Sequence, residues 1–374
     1  MVRGNKGEWS EPYVAIRLLG EGKLYLADAD GNKNENEWMQ ILDVLRYETC
    51  KHLVKYHYDA KETEVTVYIE NKIVVKILAD EFLKYADMLR GEIISGTGPS
   101  FSVSDEIMDF FKRVKIDKNH LKAESIEKSD IFLNLVDPRA GITRKKIGFS
   151  IKSKFGHNPT LFNTAKACAP IFRLEGMTDE LMEEVNSLVD SRGHAAVRER
   201  CALILQHCKV SFVGYPVAKK AGCEAFAENL ELVNSELKIV IPHMLYNYFF
   251  LGFSEVDLNK VVERVIQDNP AGLKRPEIKY PYMVKNFLYA AYCGMTASTL
   301  WDGKSNVNGG FITVCNNGDV LAHYALESDA FKTYLYNNCY LEFPSTSPNH
   351  GNYGVVYKEF SRYYFRLNFQ IRYK

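Results

Sequence analysis

No apolar run in the chain approaches the roughly 18 residues that a membrane-spanning helix requires. The opening residues, MVRGNKGEWSE, are polar and hold no apolar stretch for a signal peptide. Those two absences point to an intracellular, cytoplasmic protein with no membrane partner. Charge of one sign is missing as well: 47 Lys and Arg balance 47 Asp and Glu. A strongly basic chain would advertise nucleic acid. This balance neither does so nor excludes it, because a local basic groove is sufficient. A cysteine framework is absent. The 8 cysteines are scattered, and only Cys201 and Cys208 lie close together, at a spacing that fits no common zinc motif. Free thiols in a reducing compartment are the expected state. A phosphate-cradling loop is lacking too: "SGTGPS", around Gly96 and Gly98, is too short and is not followed by the lysine such a loop needs.

What is present is ordinary globular material, and 374 residues allow one large domain or two to three smaller ones. "EWSEPYVAIRLLGEG" spaces Trp9, Tyr13, Ile16 and Leu19 as a helix does, and Pro12 predicts a start near Ser10 so that the proline falls in the first turn. A second helix is expected over "NENEWMQILDVLRYE". "EVTVYIE" and "KIVVKIL" read as a hairpin turning near Asn71-Lys72. Helices follow over "ADEFLKYADMLRGEII" and "SVSDEIMDFFKRV", the latter capped by Ser104. "DIFLNLVD", a "DPRAG" turn and "KIGFSIKS" form a strand pair. "PIFRLEG" is a further strand, and the acidic "TDELMEEVNSLVDSRG" is a solvent-facing helix. Residues 240–296 read as helical. "GGFITVCNNGDVLAHYAL" is a hairpin about Asn317-Gly318, and "RYYFRLNFQIRY" is a terminal strand.

The strand pair carries the chemistry. Asp130 opens the first strand and Lys152 lies inside the second, so the two can meet at one end of an antiparallel pair. Phosphodiester hydrolysis calls for such a set: carboxylates to hold a divalent cation, a cation-activated water, and a positive charge for the transition state. The alternative for Lys152 is a lysine on a solvent-facing strand. Asp137, beside Pro138, reads as a turn starter. Glu11, near the start of the first helix, reads by itself as a complement to the helix dipole.

The segments "GNKGEWSEPYVAIRLLGEGKLYLAD", "GFSIKSKFGHNPTLFN", "WDGKSNVNGGFITVCNNGDVL" and "FPSTSPNHGNYGVVYKE…RLNFQIRYK" resemble the HpaII-type restriction endonuclease family from near the first residue to the last. The resemblance implies an α/β fold: a mixed β-sheet core of PD-(D/E)XK type flanked by helices, with a C-terminal helical and β-rich region. It implies a nuclease core with helical insertions over 1–240 and a DNA-recognition region over 241–374. The implied activity is magnesium-dependent cleavage of double-stranded DNA at a short site, CCGG. By position it makes Asp130 the metal ligand, Lys152 the catalytic lysine, Glu11 a second metal-site acid with Glu8 its less favoured neighbour, and the main-chain carbonyl of Ile151 a further metal contact. Ser150 departs from the general nuclease pattern, which has an acid two places before the lysine. The missing charge is then sought at Glu11 first and at Glu175 second. Asn163 either orients water or phosphate, or caps a turn.

DNA contacts are expected from the C-terminal region: Lys304, Ser345, Thr346, Ser347 and His350 in polar loops, and Arg362, Arg366 and Arg372, whose even spacing predicts one shared strand face. Pro348 stands after "STS" where the resemblance calls for a basic residue, which leaves the target sequence open. A palindromic target calls for two copies, a homodimer, or for one copy cutting twice. The competing classes are a structure-specific nuclease and a catalytically inactive DNA-binding protein on the same fold.

Overall fold

The computed structural model describes residues 2–28, 30–47, 53–116, 129–139, 141–156, 158–304, 309–324, 328–343 and 353–374. The chain forms two compact units, Met1–Pro159 with Asn306–Tyr334 and Thr160–Ser305 with Leu335–Lys374. The expected boundary at residue 240 falls inside the second of these.

Helix α1 (Lys6–Glu21) opens the first unit. Asn5 accepts from the Glu8 N–H at 2.9 Å while Glu8 Oε2 accepts from the Asn5 N–H at 2.9 Å. That reciprocal cap fixes the start, and it lies four residues before the expected one. Pro12 therefore sits inside the helix, not in its first turn. The helix ends at Gly22, whose φ of 63° suits a residue without Cβ. Trp9, Tyr13, Val14, Ile16, Leu18 and Leu19 are fully buried, and each such side chain contributes roughly 1.5–3 kcal/mol.

Strand β1 (Lys23–Ala27) leads to β2 (Lys33–Tyr47), the segment expected to be a helix. The correction has a clear cause. β2 gives one edge to β1 and then to β3 (Leu53–Asp59), and its other edge to β6 (Ile131–Asp137). Paired on both edges, its backbone has no need of intrahelical bonds, and tertiary pairing overrides local spacing. β4 (Glu64–Ile69) and β5 (Lys72–Leu78) form the expected hairpin, with Glu70 and Asn71 both at positive φ in the turn. α2 (Ala79–Ser95) and α3 (Asp105–Val114) follow as expected. At Gly20 a Cβ would lie 2.6 Å from Leu83 Cγ, so glycine is what lets α1 and α2 approach.

β6 pairs antiparallel with β7 (Ile142–Ser153). The chain then runs through β8 (Thr160–Phe162), a 3-10 turn, β9 (Ile171–Glu175), α4 (Asp179–Ser187), α5 (Val197–His207), β10 (Lys209–Gly214), α6 (Ala225–Val233), α7 (Leu237–Phe249), α8 (Leu258–Asp268) and α9 (Pro276–Tyr292), all of the second unit. It returns to the first unit with the hairpin β11 (Gly310–Val314) and β12 (Val320–Tyr324). β11 runs parallel to β7 and β12 parallel to β1. The order β1-β12-β11-β7-β6-β2 thus closes on itself through the β1–β2 pairing, a six-stranded ring, with β3, β4 and β5 continuing from β2. Tyr13 of α1 donates to Gly318 O at 2.5 Å, tying the helix to the turn of that hairpin.

After α10 (Ser328–Asn338) come β13 (Cys339–Glu342), β14 (Val356–Glu359), β15 (Arg362–Arg366) and β16 (Gln370–Tyr373). The expected single terminal strand is two. β15 lies in the sheet β10-β9-β15-β14 and β16 in the sheet β13-β16-β8. Arg372 is therefore separated from Arg362 and Arg366, and the shared face of three arginines does not exist. Among the described residues the seven cysteines are free, and no helix is long and apolar enough to cross a membrane.

Candidate active site

The β6–β7 pairing ends at Ile131↔Phe149. Beyond it, Asp130 still donates its N–H to Phe149 O at 2.9 Å, but among the described residues the next N–H of β7 in register has no strand partner on that side. The Asp130 side chain fills the gap. Its Oδ2 accepts from the Ile151 N–H at 2.7 Å and from Ser150 Oγ at 3.1 Å. On its other edge β7 keeps pairing with β11, Phe311↔Ser150, Ile312↔Ile151 and Thr313↔Lys152. Regular pairing through this stretch preserves the alternation of side chains. Ser150 and Lys152 share one face, and Phe149, Ile151 and Ser153 share the other.

Lys152 is half-buried. Burial pulls its ammonium below the ordinary lysine range, and the nearby Asp130 charge opposes that shift. A cavity of about 850 Å³ opens here, lined by Lys6, Pro99, Ile151, Lys152, Ser153 and Phe155 among others. The other face of β7 is fastened to α1. Ser10 is fully buried, and its Oγ lies 2.7 Å from Lys6 O and 2.7 Å from Ser153 Oγ. Glu11 is the next residue along α1 and is 7% exposed.

Asp130, Ser150, Ile151 and Lys152 are thus brought together, with Glu11 one residue from the α1–β7 link. Glu8 belongs to the helix cap. Asp137 accepts from the Arg139 N–H at 3.0 Å, a turn contact. Glu175 and Asn163 lie in the second unit, both exposed, and Glu175 pairs with Arg173 of its own strand at 3.4 Å. Lys304 is exposed and 3.3 Å from Asp302. Arg362 is exposed, Arg366 lies over the Tyr357 ring at 4.5 Å, and Arg372 is bonded to Glu342. Ser345, Thr346, Ser347, Pro348 and His350 lie outside the described residues. A further cavity of about 400 Å³ in the second unit, walled by Arg198, Tyr248 and Phe343, contains none of the residues singled out from the sequence. Ser10 and Ser153 of the α1–β7 link and Lys6 at the first unit's cavity are not singled out by the sequence. Ser10, a hydroxyl between Trp9 and Tyr13 on an apolar helix face, was the available signal.

The Asp130 carboxylate is held on β7, and its charge acts on the Lys152 ammonium, which borders the cavity. An acid beside an ammonium in a mixed α/β fold is a pairing that can serve chemistry on phosphate esters. The comparisons with known proteins make this specific. The family model described as HpaII restriction endonuclease matches residues 5–373, and the chain belongs to that family. It is similar to the type II restriction enzyme HpaII of Haemophilus parainfluenzae, with 32% identity over 373 residues, 99% of this chain and 98% of the relative. No solved structure matches the chain at a significant level.

Proposed function

We propose that the chain hydrolyses phosphodiester bonds of double-stranded DNA at a short sequence, CCGG by family resemblance, with magnesium, on a nuclease core of PD-(D/E)XK type. The observation that carries this reading is the end of the β6–β7 pair. There the Asp130 carboxylate is held by β7, with Lys152 two residues from Ser150 on the same strand face.

Magnesium takes oxygen ligands, keeps several waters and binds through one or two carboxylates plus substrate phosphate. The donors that the resemblance implies are of that chemical kind. They are Asp130, the Ile151 carbonyl and Glu11, all oxygen, and no cluster of three or more His, Cys, Asp or Glu able to hold a metal exists among the described residues. The ion, when bound, neutralises phosphate charge and acidifies water. The chain's own groups do the rest. β7 holds one carboxylate oxygen of Asp130 through the Ile151 N–H and the Ser150 hydroxyl, which leaves the other for the ion. Lys152, with its ammonium drawn into partly apolar surroundings, stabilises charge growing on the phosphate more strongly than it would in water. The resemblance implies 5′-phosphate and 3′-hydroxyl ends from in-line attack. Lys304, Arg362, Arg366 and Arg372, with Ser345, Thr346, Ser347 and His350, are the proposed DNA-contacting residues, and two copies would serve a palindrome.

Replacing Lys152→Ala lowers cleavage of an unmethylated CCGG plasmid by on the order of 10²–10³-fold and leaves binding of the duplex intact. Wild-type cleavage by this variant would remove Lys152 from the reaction. Should the unaltered protein bind DNA specifically yet leave the plasmid whole, an inactive DNA-binding protein is the better account, the alternative that serine at position 150 favours.

A further inference from the structure

We infer that Ser150 is a positioning residue for Asp130: its hydroxyl fixes which carboxylate oxygen is left for a divalent cation. The inference rests on the reading of Asp130 as a metal ligand. A carboxylate oxygen has two lone-pair sites. On Asp130 Oδ2 both are taken, by the Ile151 N–H at 2.7 Å and the Ser150 hydroxyl at 3.1 Å. Both donors come from β7 just past the last pair with β6, so two consecutive residues of one rigid strand clamp one oxygen. Among the described residues Oδ1 accepts no hydrogen bond, which makes it the oxygen open to a ligand. A single N–H would leave the carboxylate free to turn about its Cβ–Cγ bond. The second donor, at a fixed angle to the first, removes that freedom.

This gives serine a reason to stand where an acid would add charge. A neutral hydroxyl is a poor magnesium ligand, but a donor to a ligating carboxylate is what outer partners of metal sites supply, and their loss costs about 10–100-fold in metal affinity. Ser150 and Lys152 occupy the same strand face, so the residue that orients the carboxylate and the residue that supplies the positive charge are set by one strand.

The test uses Mn²⁺ as probe, titrated calorimetrically into the protein–DNA complex, for the unaltered protein and for Ser150→Ala, Ser150→Thr, Ser150→Val and Asp130→Asn. Thr and Val have the same shape on a strand and differ in the hydroxyl, so that pair carries the comparison if Ala folds poorly. The expected result is a Mn²⁺ dissociation constant raised roughly 10–100-fold in Ala and Val and restored in Thr, with metal-free DNA affinity and melting temperature unchanged. The magnesium concentration for half-maximal cleavage moves by the same factor. Metal affinity equal in Thr and Val overturns the inference, as does parallel loss of DNA affinity and melting temperature in both. Asp130→Asn separates the two levels. If it retains full metal affinity, the assignment of Asp130 fails. If it loses metal while Val does not, only the role of Ser150 fails.

Discussion

Residue by residue, the strand-end site was partly readable. Asp130 and Lys152 could be paired from spacing because antiparallel strands of that length bring their ends together. The Ser150–Asp130 bond could not, since it depends on where β6 stops pairing and on which face the hydroxyl falls. The same limit hid His323. Alternation in "DVLAHYAL" gives no hint that this imidazole is 4% exposed, with the Tyr334 ring centroid at 3.7 Å and that of Phe311 at 4.5 Å. Burial, with a smaller contribution from Lys154, pushes its pKa down to about 3 from 6.5. The folded protein therefore binds fewer protons at His323 than the unfolded chain between those values. Its stabilising share is complete above about pH 6.5 and is lost as pH falls toward 3, by at most about 1.4 kcal/mol per pH unit. Denaturant midpoints measured from pH 7 to pH 4 should fall, and His323→Phe should flatten that decline. An unchanged slope in the variant would place the acid sensitivity elsewhere.

Among the elements, helices and hairpins with strong local signals were legible and β2 was not. Trp38, Ile41 and Leu45 follow a helix-like spacing, but three strands bond to β2, and that pairing is non-local. α1 starts before the position Pro12 suggests because the Asn5–Glu8 cap fixes its first turn and the helix accommodates the proline in its interior. The link from α1 to β7 is a chain of three bonds. A hydroxyl carries one hydrogen. With Ser10 donating to Lys6 O, the hydrogen between the serines must come from Ser153, whose oxygen also accepts from the Phe155 N–H at 3.2 Å. Ser153→Ala leaves the buried Ser10 without this partner and should cost about 1–3 kcal/mol, read as a lower melting temperature. Because Glu11 follows Ser10 on α1, cleavage should fall as well. A variant with unaltered melting and cleavage would show that packing alone holds α1 on the strand.

At the scale of the whole molecule, the interleaving of the two units was beyond reach of a linear reading. The hairpin of β11 and β12 comes from the last fifth of the chain, yet it closes the ring that carries Asp130 and Lys152. Only its long-range pairing reveals this. The candidate catalytic residues thus belong to the first unit, while Lys304, Arg362, Arg366 and Arg372 belong to the second. With no net charge, affinity for DNA has to come from local cations, and these differ in what already engages them. Arg372 is bonded to Glu342 and Arg366 lies over Tyr357, whereas Arg362 is exposed and Lys304, though paired with Asp302 at 3.3 Å, keeps 81% of its side chain exposed. The exposed pair is therefore the better source of phosphate contacts. Each phosphate neutralised contributes about 0.9 to the slope of log affinity against log salt. Binding of a CCGG duplex followed by fluorescence anisotropy over a potassium chloride series should give a slope shallower by about 1 for Arg362→Ala and for Lys304→Ala. Arg372→Ala should change the slope little and the stability of the β13–β16 pair more. A slope unaltered by the first two substitutions would take both residues off the DNA backbone and turn the search to the cations of other surfaces.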